Sequence, residues 1–206
     1  MRRPEKHMIS LLCMAFFSVI GCRDIPAGDL VDTEQGDMML AVPDRTMLSD
    51  DPGFSLHEDT VFLNGVRYGG RVLHRHTNGD TAALTGYLDG IQEGLSMKWY
   101  PNGMPAEKRT YHMGQKVGLH KGWWENGEPR FEYQFSHGEH DGPMKEWYDN
   151  GKPYKYFNYR NGHEDGSQRM WWENGSLRAN YVVRNGRRYG LTGLKLCSNP
   201  DEKIRK

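Results

Sequence analysis

The apolar and polar positions of this chain recur with a period of 24 residues. Four copies run without a gap from Leu95 to Gly190: LSMKWYPNGMPAEKRTYHMGQKVG, LHKGWWENGEPRFEYQFSHGEHDG, PMKEWYDNGKPYKYFNYRNGHEDG and SQRMWWENGSLRANYVVRNGRRYG. A weaker copy, Arg71 to Gly94, precedes them, and half-copies flank the array at Val61–Gly69 and Leu191–Asn199. A fixed period of this length means one small unit stacked in a row, each in contact mainly with its neighbours. Every copy opens with a segment that ends in two large aromatics, which are good strand formers. Asn-Gly follows, at Asn102-Gly103, Asn126-Gly127, Asn150-Gly151 and Asn174-Gly175, a pair that accepts the positive φ of tight hairpins. A second segment alternates apolar and polar residues, as in Phe131, Tyr133 and Phe135. It closes on paired glycines such as Gly138 and Gly142. Pro105, Pro129 and Pro153 fall at the start of that segment, where a missing N–H does least harm to a ladder. The prediction is an all-β fold, an antiparallel meander of tandem 24-residue β-hairpins forming an elongated twisted sheet. Glycine is too frequent for long helices.

The aromatic pair divides into two columns, because neighbours in a strand point to opposite faces. Trp99, Trp123, Trp147 and Trp171 form one and are read as a structural ladder, together with Tyr111, Phe135 and Tyr159 of the second strands. Tyr100, Trp124, Tyr148 and Trp172 form the other. They are equally compatible with the ladder and with an open binding face, since a lone sheet seldom buries both sides. At the ends Arg75-His76 and Lys195-Leu196 replace the aromatic pair, as capping units that blunt the sheet edges.

The amino terminus is a different kind of sequence. Arg2, Arg3 and Lys6 precede the apolar stretch Met8–Gly21, which is shorter than the roughly 20 residues a spanning helix needs. This reads as a signal peptide over residues 1–21, removed on export. Its end, Val19-Ile20-Gly21-Cys22, resembles the lipobox of bacterial lipoproteins. That resemblance implies acylation of Cys22, a mature chain starting there, and a membrane held through an N-terminal lipid anchor. Arg23 rather than Asp follows the Cys, which within that resemblance favours the outer membrane of the cell envelope.

Residues 22–60 show no period, and from Arg23 to Asp59 they hold ten acidic side chains against two basic ones. They are expected to be a flexible tether, within which Met38–Val42 is apolar enough to dock on the array. The repeat domain is placed at 61–199 and a charged tail at 200–206. From Thr60 onward 22 Lys/Arg face 16 Asp/Glu, a diffuse basic excess and no basic block. Nucleic acid is therefore not an expected partner. Cys197 is the one cysteine of the repeat domain, so that domain has no internal disulfide.

Candidate chemistry is sparse. His137, His140 and Asp141, with His163 in the next copy, have metal-ligand letters, but no ligand set repeats in the equivalent loops, and no metal or cofactor is expected. Glu125, Asp149 and Glu173 repeat before Asn-Gly, where turn formation accounts for them. No nucleophile elbow, phosphate loop or dinucleotide fingerprint occurs, so no catalytic residues are assigned.

The in-phase aromatic pair, Asn-Gly and paired glycines, from Val61 to about Leu196, resemble the MORN-variant repeat family, whose bacterial members are often labelled YwqK-like antitoxins. The resemblance implies a ribbon of β-hairpins and roles in protein contact, scaffolding or membrane association. In some settings it implies neutralisation of a partner toxin. Three readings follow. The first is a non-enzymatic, lipid-anchored repeat protein binding another protein or an envelope component. The others are an antitoxin or immunity protein, and a carbohydrate or cell-wall binding module.

Overall fold

The computed structural model describes residues 40–193. Cys22, the stretch read as a signal peptide, most of the acidic segment, Cys197, Lys195-Leu196 and residues 200–206 lie outside the described residues. Seventeen strands are found among the described residues. The first four are β1 (Thr46–Leu48), β2 (Phe54–His57), β3 (Thr60–Leu63) and β4 (Val66–Arg67). The weak copy supplies β5 (Gly70–Arg75) and β6 (Thr81–Leu88). The first full copy supplies β7 (Ile91–Trp99) and β8 (Pro105–His112). Then come β9 (Gln115–Lys116), β10 (Gly118–Trp123), β11 (Pro129–Ser136), β12 (Glu139–Trp147) and β13 (Pro153–Arg160). The last are β14 (His163–Glu164), β15 (Gly166–Trp171), β16 (Leu177–Arg184) and β17 (Arg187–Leu191).

The cassettes form one antiparallel meander, as the period predicts. The path is β1-β5-β6-β7-β8-β10-β11-β12-β13-β15-β16-β17, with β9 on β8 and β14 on β13. Its first pairing is parallel, β1 on β5, with Thr46 beside Arg71 and Leu48 beside Leu73. A separate three-stranded sheet, β2-β3-β4, holds the half-copy Val61–Gly69.

Two expectations change here. Residues 40–60, read as tether, carry β1 and β2. Alternation is too short there to register as a period, but Met47 and Phe54 find apolar partners. Met47, Val61, Tyr68 and Val72 form a buried cluster with Phe54 and Leu63 against it. The half-copy at 61–69 is not the first rung of the meander. It attaches through Val61 N–H to Gly90 O (2.8 Å) and Gly90 N–H to Tyr68 O (2.6 Å). Of the apolar stretch at 38–42, residues 40–42 are described and are not in a strand, and the Leu40 N–H donates to the buried Glu93 carboxylate at 3.1 Å.

The turns also differ from the expectation. Positive φ at two successive residues falls in the second turn, not at Asn-Gly: Met113-Gly114, His137-Gly138, Asn161-Gly162 and Asn185-Gly186 are the type I′ pairs. In the first turn only the glycine has positive φ. The Asn instead accepts the N–H two residues on, as Glu128 N–H to Asn126 Oδ1 at 3.0 Å.

Two copies have an uninterrupted long strand, β7 and β12, and two have a split one, β9/β10 and β14/β15. One buried column explains the alternation. Ser96 and Met144 occupy it in the long strands, His120 and Gln168 in the split ones. His120 Nε2 lies 2.9 Å from Thr110 O and 3.2 Å from Thr110 N. Gln168 accepts from Asn158 N–H at 3.0 Å and donates to Asn158 O at 2.9 Å. In each case a side chain meets backbone groups where the ladder is interrupted, Gln168 satisfying both groups of Asn158 and His120 one of the two of Thr110.

Candidate functional site

The two faces of the meander carry different chemistry, and register shows which residues share each. Met144 stands opposite Phe157. That face buries Met144, Phe157, Ala179, Tyr181 and Val183 as one cluster. Further along, Phe131 stacks on Tyr133 at 4.5 Å and 16°. A row of rings crosses five strands: Tyr111 to His120 (5.8 Å), His120 to Phe135 (4.7 Å), Phe135 to His140 (4.3 Å), His140 to Tyr159 (5.3 Å). The predicted Tyr111, Phe135 and Tyr159 therefore lie in one row, Phe135 buried and the two tyrosines half-buried. The histidines between them were not anticipated; a buried-column reading of Ser96, His120, Met144 and Gln168 would have found the first. His140, expected in a solvated loop, lies in β12. Burial lowers the pKa of His120 to about 4 and, with the Lys116 cation, lowers that of His140. Both rings are neutral at pH 7.

Long cationic side chains roof this face. Lys116 lies over Phe135, Lys155 over Phe157, Arg188 over Tyr181 and Arg130 over Phe131, at 5.1–5.5 Å from the ring centroids. Carboxylates between them hold the cations. Glu107 meets Lys98 (3.3 Å), Arg109 (2.9 Å) and Arg130 (2.9 Å). Burial pushes the Glu107 carboxyl up, but Arg109 and Lys98 outweigh it and hold it below the ordinary range. Glu146 meets Lys155 at 3.0 Å, and Glu164 meets Arg188 at 3.0 Å. Among the described residues, charge pairs and aromatics close this side.

The second aromatic column is spent between copies. Tyr100 OH donates to Trp123 O at 2.8 Å, Trp124 Nε1–H to Trp147 O at 3.1 Å, and Tyr148 OH to Trp171 O at 3.0 Å. His76, in the weak copy, makes the same contact to Trp99 O at 2.9 Å. Asn side chains add a parallel set, as Asn126 Nδ2–H to Asp149 O at 2.7 Å. Of the proposed binding column, Tyr100, Trp124 and Tyr148 are half-buried straps. Only Trp172 is largely open (49% exposed), with the Arg178 guanidinium over its ring at 4.3 Å. The reason is chemical: a phenol or indole N–H beside a turn reaches the next copy's carbonyl.

The first column takes the other face. Trp147 and Trp171 flank Tyr156 edge to face at 5.8 and 5.2 Å. Trp99 lines a shallow groove with Leu73 and Leu84. Trp99, Trp123, Trp147 and Trp171 are all half-buried. The interior ladder is instead built by Phe131, Phe135, Met144, Phe157, Ala179 and Tyr181. Beside the tryptophans, one register line crosses the whole sheet: Leu48, Leu73, Leu84, Met97, Lys108, Lys121, Glu132, Lys145, Tyr156, Arg169, Asn180, Leu191. Leu95 and Leu119, two positions before Met97 and Lys121 in their strands, are 49% and 43% exposed. The face is apolar at one end, basic and aromatic in the middle.

Among the described residues no three His, Cys, Asp or Glu side chains converge to hold a metal ion. The His137, His140 and Asp141 letters are dispersed: His137 sits in a turn, His140 in the ring row, and Asp141 accepts from Asn161 N–H at 3.4 Å.

No curated protein matches the chain. The model of the MORN repeat variant matches it at residues 92–113 and 141–161. Each stretch covers one hairpin with an uninterrupted first strand, β7-β8 and β12-β13. In those two hairpins the chain is similar to a family of repeat modules that bind proteins or membranes and carry no known enzymatic activity.

Proposed function

We propose that this is a non-enzymatic, lipid-anchored β-repeat protein that binds another protein or an envelope component, as a scaffold or adaptor. The anchor is the acylated Cys22 and the compartment the bacterial cell envelope, with the outer membrane favoured. The binding surface is the face that carries Trp99, Trp123, Trp147 and Trp171. One observation carries this: the opposite face is filled by its own aromatics and roofed by ion pairs, whereas this one leaves four half-exposed tryptophans beside a basic row. Tryptophan, tyrosine and arginine are the residues from which most interface binding energy is drawn, and this face has the four tryptophans with Tyr156 and Arg169 beside them. The similarity to protein- and membrane-binding repeats supports the same reading.

The test is cross-linking of the full chain in its native envelope, wild type against Trp123→Ala with Lys121→Glu. Loss of a specific cross-linked product with retained folding supports the proposal. A product that survives both changes, or a product lost only on Trp172→Ala, refutes this choice of face.

A further inference from the structure

Trp99, Trp123, Trp147 and Trp171 sit at one position of successive copies, two strands apart. Neighbouring strands lie about 4.8 Å apart, so the tryptophans recur at a pitch of about 9.6 Å across the sheet. Lys121, Lys145 and Arg169 recur at the same pitch, two residues before the indoles and on the same side of their strands. A surface that repeats one group at a fixed interval fits a ligand that does the same. A folded protein partner presents such a repeat only where it is itself a regular sheet or a repeat array. Nucleic acid presents a far denser one, a charge every ~1.7 Å of duplex axis. An extended glycan of 1,4- or alternating 1,3/1,4-linked β-sugars matches: its disaccharide is of this length, and pyranose rings offer a C–H face to the electron-rich face of an indole.

The charges narrow the class. Lys108 and Lys121 stand directly opposite each other across β8 and β10, an unfavourable placement for like charges. Lys121 and Lys145 share Glu132, at 3.2 and 3.9 Å. Arg169 forms no ion pair among the described residues and is exposed. The row of Lys108, Lys121, Lys145 and Arg169 against Glu132 is an unneutralised cationic line beside the aromatic one. We infer that this face binds a linear acidic polysaccharide with one anionic group per disaccharide, each repeat stacking on one tryptophan and, at Trp123, Trp147 and Trp171, pairing with the cation two residues before it, Met97 standing in that place before Trp99. The inference rests on the proposed binding face and names the envelope component it would take. Successive repeats act as linked sites, so affinity grows with chain length without any new kind of contact.

The experiment is titration of the full chain, by calorimetry or anisotropy, with size-defined oligomers of alternating uronate and N-acetylhexosamine. Neutral chitin oligomers and poly-glutamate are the controls. The expected result is affinity that rises with each disaccharide and levels off at about four, one per tryptophan. Neutral oligomers bind about tenfold or more weakly, and added salt erodes the difference. Arg169→Glu, at an exposed position, weakens acidic oligomers about tenfold with an unchanged melting temperature. Trp147→Phe weakens neutral and acidic oligomers alike. Length-independent binding, or poly-glutamate bound as tightly as the acidic glycan, overturns the inference. If no glycan binds while Trp123→Ala with Lys121→Glu still abolishes a cross-linked protein, the inference falls and the binding face stands. If neither glycan nor protein depends on this face, both fall.

Discussion

His120→Gln is the most informative single change. His120 is 1% exposed and takes up one buried position of the split copies, where Gln168 stands in the last copy. The Gln168 amide satisfies both groups of Asn158, accepting at 3.0 Å and donating at 2.9 Å. A neutral imidazole has one role at Nε2 and can serve only one of Thr110 N–H and Thr110 O. At pH 7.5 the variant should therefore be as stable as wild type or more so, by up to about 1 kcal/mol for the added hydrogen bond. Acid separates the two proteins. Burial lowers the His120 pKa from 6.5 to about 4 in the fold. The unfolded chain takes up its proton near pH 6.5, the folded one only near 4. The stability contributed by the neutral ring is whole above pH 6.5 and is lost as pH falls through that window. The loss is about 2.5 kcal/mol by pH 4.5 and about 3 kcal/mol below pH 4, at 1.36 kcal/mol per unit. Urea unfolding of both proteins at pH 7.5 and pH 4.5 measures it, and the difference of differences cancels the carboxylates and His140. Equal acid losses in wild type and His120→Gln would refute the role given to His120.

Four other outcomes are expected. Gly122→Ala places a Cβ against the ring of Phe131, which stands directly opposite, and should destabilise by about 1–3 kcal/mol in chemical denaturation. Phe157→Ala empties a buried position and should cost about 3–5 kcal/mol, whereas Trp123→Ala, half-buried on the other face, should cost clearly less. The reverse order of the two midpoints would put the Trp column back in the interior. Tyr148→Phe removes the strap to Trp171 O and should cost about 0.5–1.5 kcal/mol, read as earlier amide exchange in the last copy relative to the others. Cys22→Ser should abolish the acyl mass and release the chain from membranes; unchanged mass and fractionation would remove the anchor from the proposal.

Much of the architecture was legible in the residues. Proline in phase at 105, 129 and 153 does begin β8, β11 and β13. The in-phase glycines mark the turns, although the left-handed pairs belong to the second turn. There Met113 and His137 adopt φ near 49° beside a glycine, residues that do not advertise it. The early strands β1 and β2 escaped because they are short and outside the period. Their partners, Leu73 and Leu63, are distant in sequence or held across a turn.

The period and its turn signals determined that one hairpin unit would be stacked antiparallel, because the few residues between successive strands suffice for a hairpin and not for the long crossover a parallel pair needs. They could not say which side closes. That depended on Arg130, Lys155, Lys116 and Arg188 folding over the rings of one side, and on Tyr100, Trp124 and Tyr148 reaching carbonyls of the next copy. Such contacts join residues in different copies, and only the assembled sheet brings them within reach.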